Sequence, residues 1–347
     1  MNIGILLSRR TYLKTFGPVI VEALMQGHTV TAILDYDGKR GEAIRAYDLA
    51  PYPGLQRWVP RRGSEMPTLD VLVGQQYKLP RYSCPYVYIG QYYDNLAMEP
   101  PKDYTMLYHS EYHWKLHYSM WRMDGTPQPV VGWLAGDHIR KIWDDYRPAH
   151  RARKSLKDFY RVPNNRPVWV LFPPKAPTLE YRTIIRALIE RAKKENAFLV
   201  VKYRLKTYRP WFAYFVGDRR VWDDVMYPHA SMVLNFVASK VIHFDSGAGY
   251  EAAYCGTYAV SIALEVPPAW LTSWVEYSHQ PYSRLQWPGV NVGVQAKDAA
   301  EFLRNEDWVS HQVDKDARDA FVKKFLGYDD HRSAARVLDY LEECYAL

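Results

Sequence analysis

The stretch from Val241 to Ile262, VIHFDSGAGYEAAYCGTYAVSI, concentrates residue types that can do chemistry. An apolar run ends at Phe244. A small glycine-containing loop follows (Asp245, Ser246, Gly247, Ala248, Gly249), and helical periodicity starts near Tyr250 or Glu251. Such a loop turns backbone N–H groups outward at a helix amino terminus, where the helix dipole favours an anion. Ser246 adds a hydroxyl donor. Glu251, one turn into the helix, can accept hydrogen bonds from a ribose diol. Gly256 lets the helix end before the next strand begins. The same residues also read as a tight strand-to-helix turn with Glu251 as a favourable first-turn charge. Spacing alone leaves both readings open.

The elements around this stretch alternate strand and helix. Asn2 to Leu7 reads as a short buried strand, and a helix from about Phe16 to Gln26 ends at Gly27. Thr29 to Leu34 is the next strand, which makes a parallel strand–helix–strand unit. Val71 to Val73, Tyr86 to Ile89 and Met106 to Tyr108 extend the sheet, and Val130 and Val131 close the domain. Asp144 to Asn165 is rich in Arg, Lys and Pro and forms the link. The pattern then restarts with strands at Val168 to Phe172, Ala197 to Tyr203, Val241 to Phe244 and Tyr258 to Ile262. Helices are predicted over Thr183 to Glu195 and Ser231 to Ala238, from Glu251, and over Asp316 to Phe325 and Arg332 to Tyr345. Two Rossmann-like domains follow, 1–150 and 151–347, with the last helix packing back on the first. Ligands of such proteins sit at the carboxyl ends of strands, here in a central cleft that the two domains face.

Composition narrows the class. With 48% hydrophobic and 24% charged residues over 347 positions, the chain supports two ordinary globular cores. Its 29 Tyr and 12 Trp exceed what cores satisfy, so many line surfaces or clefts. The net charge of +7 suits an anionic partner, and suits a mildly basic soluble protein equally well. Cys84, Cys255 and Cys344 are too far apart for a disulfide framework or a zinc site. MNIGILLSRR places arginines after its apolar run, the reverse of a signal peptide, and no stretch approaches a membrane span. A cytoplasmic location is the expectation.

Glu251-Ala252, followed four residues after the alanine by Gly256, resembles the carboxy-terminal nucleotide-diphosphate motif of GT-B glycosyltransferases and their relatives. PVWVLFPPK (167–175) and FLVVKYR (198–204) are similar to the first strands of that nucleotide-binding domain. MLYHSEYHWKLHY with VVGWLAGDHI is similar to the end of the amino-terminal domain, and FVKKFLGYDDHRSAARVLDYL to the closing helices. By this pattern the chain resembles the CDP-glycerol glycerophosphotransferase-like and the UDP-N-acetylglucosamine 2-epimerase-like proteins. The resemblance implies the GT-B fold, a diphosphate held by the Ser246–Gly249 loop and a ribose held by Glu251. The pattern also departs from both families. Where the glycerophosphotransferases carry His-Gly and His-Pro, this chain has Gly90–Asn95 and Tyr203-Arg204. Where the epimerases carry a double glycine and paired glutamates, it has Gly247-Ala248 and a single Glu251.

The resemblance implies transfer from a nucleotide-diphosphate sugar or polyol donor, with inversion and without a metal. Such transfer needs a general base and cations for the leaving diphosphate. No aspartate motif of the metal-dependent kind stands out, so Lys175, Lys202 and Arg204 on the donor side and Arg9 and Arg10 from the amino-terminal domain are the candidate cations. Each also reads as a solvated surface charge. Asp94, in a Tyr-rich loop, is the first candidate base, followed by Glu111 and Asp137. Asp137 also reads as the amino-terminal cap of a helix starting near His138. His109, His113 and His117 would share a helix face, but they spread over ~12 Å, too far to bind one ion together. No cofactor is implied. YIGQYYDN, YHSEYHWKLHYSMW and KYRLKTYRPWFAYF interleave aromatics with cations, which fits a base in modified viral DNA or a carbohydrate or polyol chain as acceptor. Two alternatives stand beside the transferase: a nucleotide-sugar 2-epimerase, and an inactive module that binds nucleotide sugar or DNA.

Overall fold

The computed structural model describes residues 1–35, 43–61, 65–75, 83–90, 99, 104–123, 127–145, 163, 165–174, 179–203, 217–221, 227–244, 246–263 and 286–346. Its contacts divide the chain into two compact units. The first comprises Met1–His138, Val225–Pro228 and Lys323–Leu347; the second comprises Ile139–Asp224 and His229–Val322. Most of the link expected over Asp144 to Asn165 lies outside the described residues. Among the described residues no helix is long and apolar enough to cross a membrane.

The first unit is built on strands β1 (Asn2–Leu6), β2 (Thr29–Ile33), β3 (Gln56–Trp58), β4 (Val71–Gly74), β5 (Tyr86–Ile89) and β6 (Thr105–Leu107). They form one parallel sheet in the order β3-β2-β1-β4-β5-β6. Ile3, Ile5, Val30, Leu72 and Val87 are wholly buried, as strands covered on both faces must be. Tyr108, expected inside the strand Met106 to Tyr108, instead bridges to Val130, and this bridge extends the sheet beyond β6.

Helix α1 (Leu13–Met25) connects β1 to β2 and starts earlier than the periodicity predicts. Gly17 and Pro18 argue locally against helix there, but tertiary packing prevails. A Cβ on Gly17 would lie 2.6 Å from the hydroxyl of the buried Tyr52, so only glycine lets that ring rest on the helix backbone. α1 ends at Gly27, whose φ of +83° supplies the left-handed turn that was predicted.

Helix α2 (Glu111–Met120) begins after Ser110, whose hydroxyl accepts from His113 N at 3.1 Å. His109 therefore precedes the helix, and only His113 and His117 share it, which corrects the expectation of a three-histidine helical face.

Asp137 ends a 3-10 turn (Leu134–Asp137) just before helix α3 (His138–Asp145). The cap expected for α3 goes elsewhere. The Asp137 carboxylate accepts from Ser333 N (3.2 Å) and Ala334 N (2.7 Å), at the start of the carboxy-terminal helix Ser333–Tyr345, which packs against α1. Arg332, the residue before that helix, makes no side-chain cap bond, so the cap is supplied across the fold. Burial pushes the Asp137 carboxyl up to about 7 against the pull of the two amides. Asp137→Ala leaves two buried N–H groups unpaired and is expected to cost about 2–4 kcal/mol of stability, read by denaturant unfolding. A loss under about 0.5 kcal/mol, the range of featureless surface changes, would show that water replaces the cap.

The second unit repeats the plan. Strands β7 (Val168–Phe172), β8 (Phe198–Lys202), β9 (Arg219–Val221), β10 (Lys240–Phe244), β11 (Tyr258–Ala263) and β12 (Asn291–Gln295) form a parallel sheet in the order β12-β11-β10-β7-β8-β9. Its helices are α4 (Leu179–Lys194), α5 (Ala230–Val237), α6 (Ala248–Tyr254), α7 (Ala296–Asn305) and α8 (Lys315–Phe325), and the terminal helix of the first unit is α9. On one face α4 and α7 pack over Trp169, Leu188, Leu303 and Trp308, with the two indole rings 4.7 Å apart. Counted from its own first strand, each sheet runs third, second, first, fourth, fifth, sixth, the Rossmann order. The strand order therefore reverses between β1 and β4 in one unit and between β7 and β10 in the other. Ligands of such sheets bind outside the carboxyl ends of the strands at that reversal.

Candidate functional site

The loop singled out by sequence leaves the carboxyl end of β10, beside β7, at the reversal point of the second sheet. His243, the penultimate residue of β10, organises it. Its buried ring accepts from Ser246 N–H at Nδ1 (3.3 Å), so that nitrogen carries no proton. Nε2 lies 2.8 Å from the Ser261 hydroxyl on β11. The imidazole thus bridges the loop to the neighbouring strand.

Helix α6 starts at Ala248, ahead of the predicted Tyr250 or Glu251. Gly247 adopts a helical backbone (φ −56°, ψ −12°), and the Ser246 hydroxyl accepts from Ala248 N at 3.3 Å. Gly249 N and Tyr250 N donate to the Ser246 and Gly247 carbonyls, each at 3.1 Å. Gly256, with φ +69°, follows the end of the helix.

Gly249 has a packing reason. A Cβ there would lie 2.8 Å from His243 Nε2 and 3.1 Å from its Cε1. The ring cannot swing away without giving up Ser246 or Ser261. Gly249→Ala is therefore expected to destabilise the second unit by about 1–3 kcal/mol, as overpacked cores do. Thermal unfolding reads this, and an unchanged midpoint would show that the imidazole yields.

Glu251 lies one turn into α6 and is only 3% exposed. Asn235 on α5 donates through Nδ2 to Glu251 Oε2 (3.1 Å) and to the Ser231 carbonyl (2.8 Å). Both neighbours accept, so the NH₂ end must face them and the orientation of the amide is determined. Among the described residues no donor reaches Asn235 Oδ1, and an unpaired buried acceptor costs about 1–3 kcal/mol. At the start of α5 the Ser231 hydroxyl and N–H both approach His229 Nδ1, at 2.7 and 3.2 Å. Sequence reasoning missed Asn235, His229 and His243. The available signal was polarity out of place: Asn in SMVLNFV and His in KVIHF interrupt apolar runs.

The other predicted residues fall as follows. Lys202 ends β8, is 4% exposed, and donates to the Tyr203 carbonyl at 3.4 Å. It is one residue beyond the Leu171–Val201 pair, as is Phe172, and Phe172 pairs with His243 across the sheet. Lys202 thus belongs to the same carboxyl edge as the loop. Asp94, Lys175 and Arg204 lie outside the described residues. In the first unit Arg10 follows β1 but is buried, its Nε 2.6 Å from Asp48 Oδ1 and its guanidinium over the Tyr47 ring. Arg9 lies 5.9 Å from the centroid of the Tyr12 ring. Glu111 is exposed and pairs with Lys115 one turn along α2. The structure therefore gathers Ser246, Gly247, Ala248, Gly249 and Glu251 in one loop and helix, with Lys202 on the same sheet edge. Among the described residues no cluster of three or more His, Cys, Asp or Glu is placed to hold a metal ion.

No protein-family model matches the chain, and no curated protein matches it by sequence. Solved structures do match. The UDP-GlcNAc 2-epimerase of Neisseria meningitidis, bound to UDP-GlcNAc, is similar at a TM-score of 0.64 and 12% identity over 99% of this chain and 100% of that one. The wall teichoic acid polymerase TagF is similar at 0.63 and 12% identity, over 99% of this chain and 88% of that one. The UDP-GlcNAc 2-epimerase of Methanocaldococcus jannaschii, in complex with UDP-GlcNAc and UDP, is similar at 0.58 and 13% identity, over 99% of this chain and 100% of that one. With two six-stranded parallel sheets in Rossmann order and these neighbours along nearly its whole length, the chain has the GT-B fold.

Proposed function

We propose that the chain is a nucleotide-diphosphate-dependent transferase that moves a sugar or polyol phosphate from its donor to an acceptor. The observation that carries this reading is the Ser246–Gly249 loop, shaped by His243, at the β7/β10 reversal with Glu251 one turn beyond it. The Ser246, Ala248, Gly249 and Tyr250 amides donate within the loop and its helix, at 3.1 to 3.3 Å. A diphosphate oxygen accepts stronger, charge-assisted bonds and can displace them. Glu251 takes the ribose hydroxyls. Lys202, with Lys175 and Arg204, neutralises the leaving diphosphate, so inverting transfer proceeds without a metal. Of the three carboxylates considered as base, Asp137 is held by the α9 amides and Glu111 pairs with Lys115, so the role falls to Asp94. Asp94→Ala is expected to abolish transfer and leave donor binding nearly intact, and surviving transfer would remove Asp94 from the mechanism. The aromatic and basic segments suit a DNA base or a carbohydrate chain as acceptor.

The test is thermal unfolding with UDP, CDP, GDP or ADP, with their sugars, and with a short DNA duplex. A ligand at 100 times its dissociation constant stabilises by about 2.7 kcal/mol. A shift with one nucleotide identifies the donor class, and a further shift with DNA identifies the acceptor. Turnover of the nucleotide sugar alone would favour a 2-epimerase, and stabilisation without turnover a binding module. No shift with any nucleotide would overturn the diphosphate site.

A further inference from the structure

We infer that His243 is a positioning residue that keeps the Ser246–Gly249 loop in its binding shape only while its ring is neutral, so that nucleotide binding is lost in acid through this one side chain. The inference rests on the proposed function, in which that loop holds the diphosphate. A backbone N–H can only donate. The bond from Ser246 N to His243 Nδ1 (3.3 Å) therefore requires a lone pair on that nitrogen, whatever else the ring touches. A neutral imidazole with a bare Nδ1 carries its proton on Nε2, here 2.8 Å from the Ser261 hydroxyl on β11. A second proton can then enter only at Nδ1, where it meets the Ser246 N–H. Two donors cannot share that space, and the ring has little room to turn, because a Cβ on Gly249 would already lie 2.8 Å from Nε2. The Ser246 amide must leave, and the loop shifts with it. The amides of Ala248, Gly249 and Tyr250 donate to acceptors of the loop itself and are the ones a diphosphate takes over. The Ser246 amide instead faces a ring that is 1% exposed, and it shapes the loop from beneath. The elements packed against β10 are β7, β11 and α6. β7 carries no titratable group, β11 carries Tyr258, opposite Lys240 at the far end of both strands, and α6 carries Tyr250, Glu251 and Tyr254. Asp245, two positions along the chain, lies outside the described residues. Glu251, the one acidic group on these elements, bears on how readily the ring charges and not on which nitrogen takes the proton.

The experiment is calorimetric binding of UDP, CDP, GDP and ADP to the wild-type chain, His243→Asn and His243→Gln, at pH 7.5 and at pH 5, which span the range in which histidine ordinarily changes charge. Asparagine puts an oxygen acceptor where Nδ1 stands, and it does not titrate. Glutamine reaches toward Ser261 without that acceptor, and it is the non-titrating reference if the asparagine variant does not fold. The ratio of wild-type to variant affinity at each pH cancels the ionisation of the ligand and the titration of the first unit, which all three proteins share. For the nucleotide that binds, this ratio is expected to fall about ten-fold or more from pH 7.5 to pH 5, because only the neutral fraction of the wild type binds. At pH 7.5 His243→Asn should bind within about three-fold of the wild type and His243→Gln about ten-fold more weakly, the worth of a lost buried hydrogen bond. A merely structural role for His243 would weaken both variants alike and leave the ratio independent of pH, which would overturn the inference and leave the site standing. A ratio that rises in acid would make the charged ring a partner of the diphosphate and would overturn the inference as well. Absence of binding by every nucleoside diphosphate to the wild type would overturn the site and this inference with it.

Discussion

Gly327→Ala is expected to cost the first unit more than about 4 kcal/mol and to lower its unfolding midpoint by roughly 10 °C or more. Gly327 follows α8 with φ +91°, and a Cβ there would lie 2.1 Å from the His109 carbonyl oxygen and 3.2 Å from its carbon. The obstacle is backbone, so no rotamer change relieves it. The left-handed conformation alone costs a non-glycine residue about 1–2 kcal/mol, and overpacking adds about 1–3 kcal/mol or more. Nearby space is already taken, because Gly132, at φ +94°, faces the Ser333 side chain 2.5 Å from where its own Cβ would be. Gly27→Ala supplies the control. That site has φ +83° but no atom within 4 Å of the added carbon, so only the backbone penalty applies. Equal losses for the two variants would show that the 109/132/327 contact is soft.

Acid is expected to unfold the first unit well above the carboxylate range. Burial holds His109 down to about 4 and His138 down to about 3, and it lowers His113 well below its ordinary value. Each neutral ring is packed where it sits: His109 Nδ1 meets the Gly90 carbonyl at 3.2 Å, His138 Nε2 donates to the Lys14 carbonyl at 2.7 Å, and His113 stacks on His109 at 4.1 Å. Unfolded histidine titrates near 6.5, so below that pH the unfolded chain takes up protons that the folded chain refuses, and stability falls as pH falls. Asp137 runs the other way. Its folded value of about 7 exceeds the ordinary 3.8, so it gives up stability as pH rises between those values. Near pH 5.5 His109 and His138 alone outweigh the one aspartate by about one proton, a slope of about 1.4 kcal/mol per pH unit, and His113 adds to it in the same direction. Denaturant unfolding between pH 7.5 and 5 measures it. A flat profile would mean that these rings are solvated when folded, and His138→Gln should reduce the slope by about one proton.

What could be read from sequence was local. β5 and β7 match their predicted spans residue for residue, because continuous apolar runs between turn signals leave little choice. The Ser246–Glu251 loop was legible for the same reason, since strand, small loop and helix lie within one short window. β3 and β9 were missed because three-residue strands with mostly exposed side chains show no alternation. β12 was missed as a half-covered edge strand, and α7 because it follows that strand directly with no side-chain cap. Long-range partners were invisible in kind. Asp137 was read as the cap of the helix starting near His138, but the helix it caps begins at Ser333, 196 positions later. Arg10 was read as a cation after a strand, and only the fold shows Asp48 beside it.

The bond from Ala334 to Asp137 also sets an order of events during synthesis. At 5–20 residues per second, the 197 positions between them take roughly 10–40 s to translate. Throughout that interval α1 waits for α9, the helix it packs against. The second unit draws on no residue beyond Val322, so its chain is complete first even though the other unit begins first. A nascent chain that has emerged from the ribosome as far as Val322 but not Ser333 therefore carries a sheet that can close and, upstream of it, an older one with a bare apolar helix, which is the species a holding chaperone would meet.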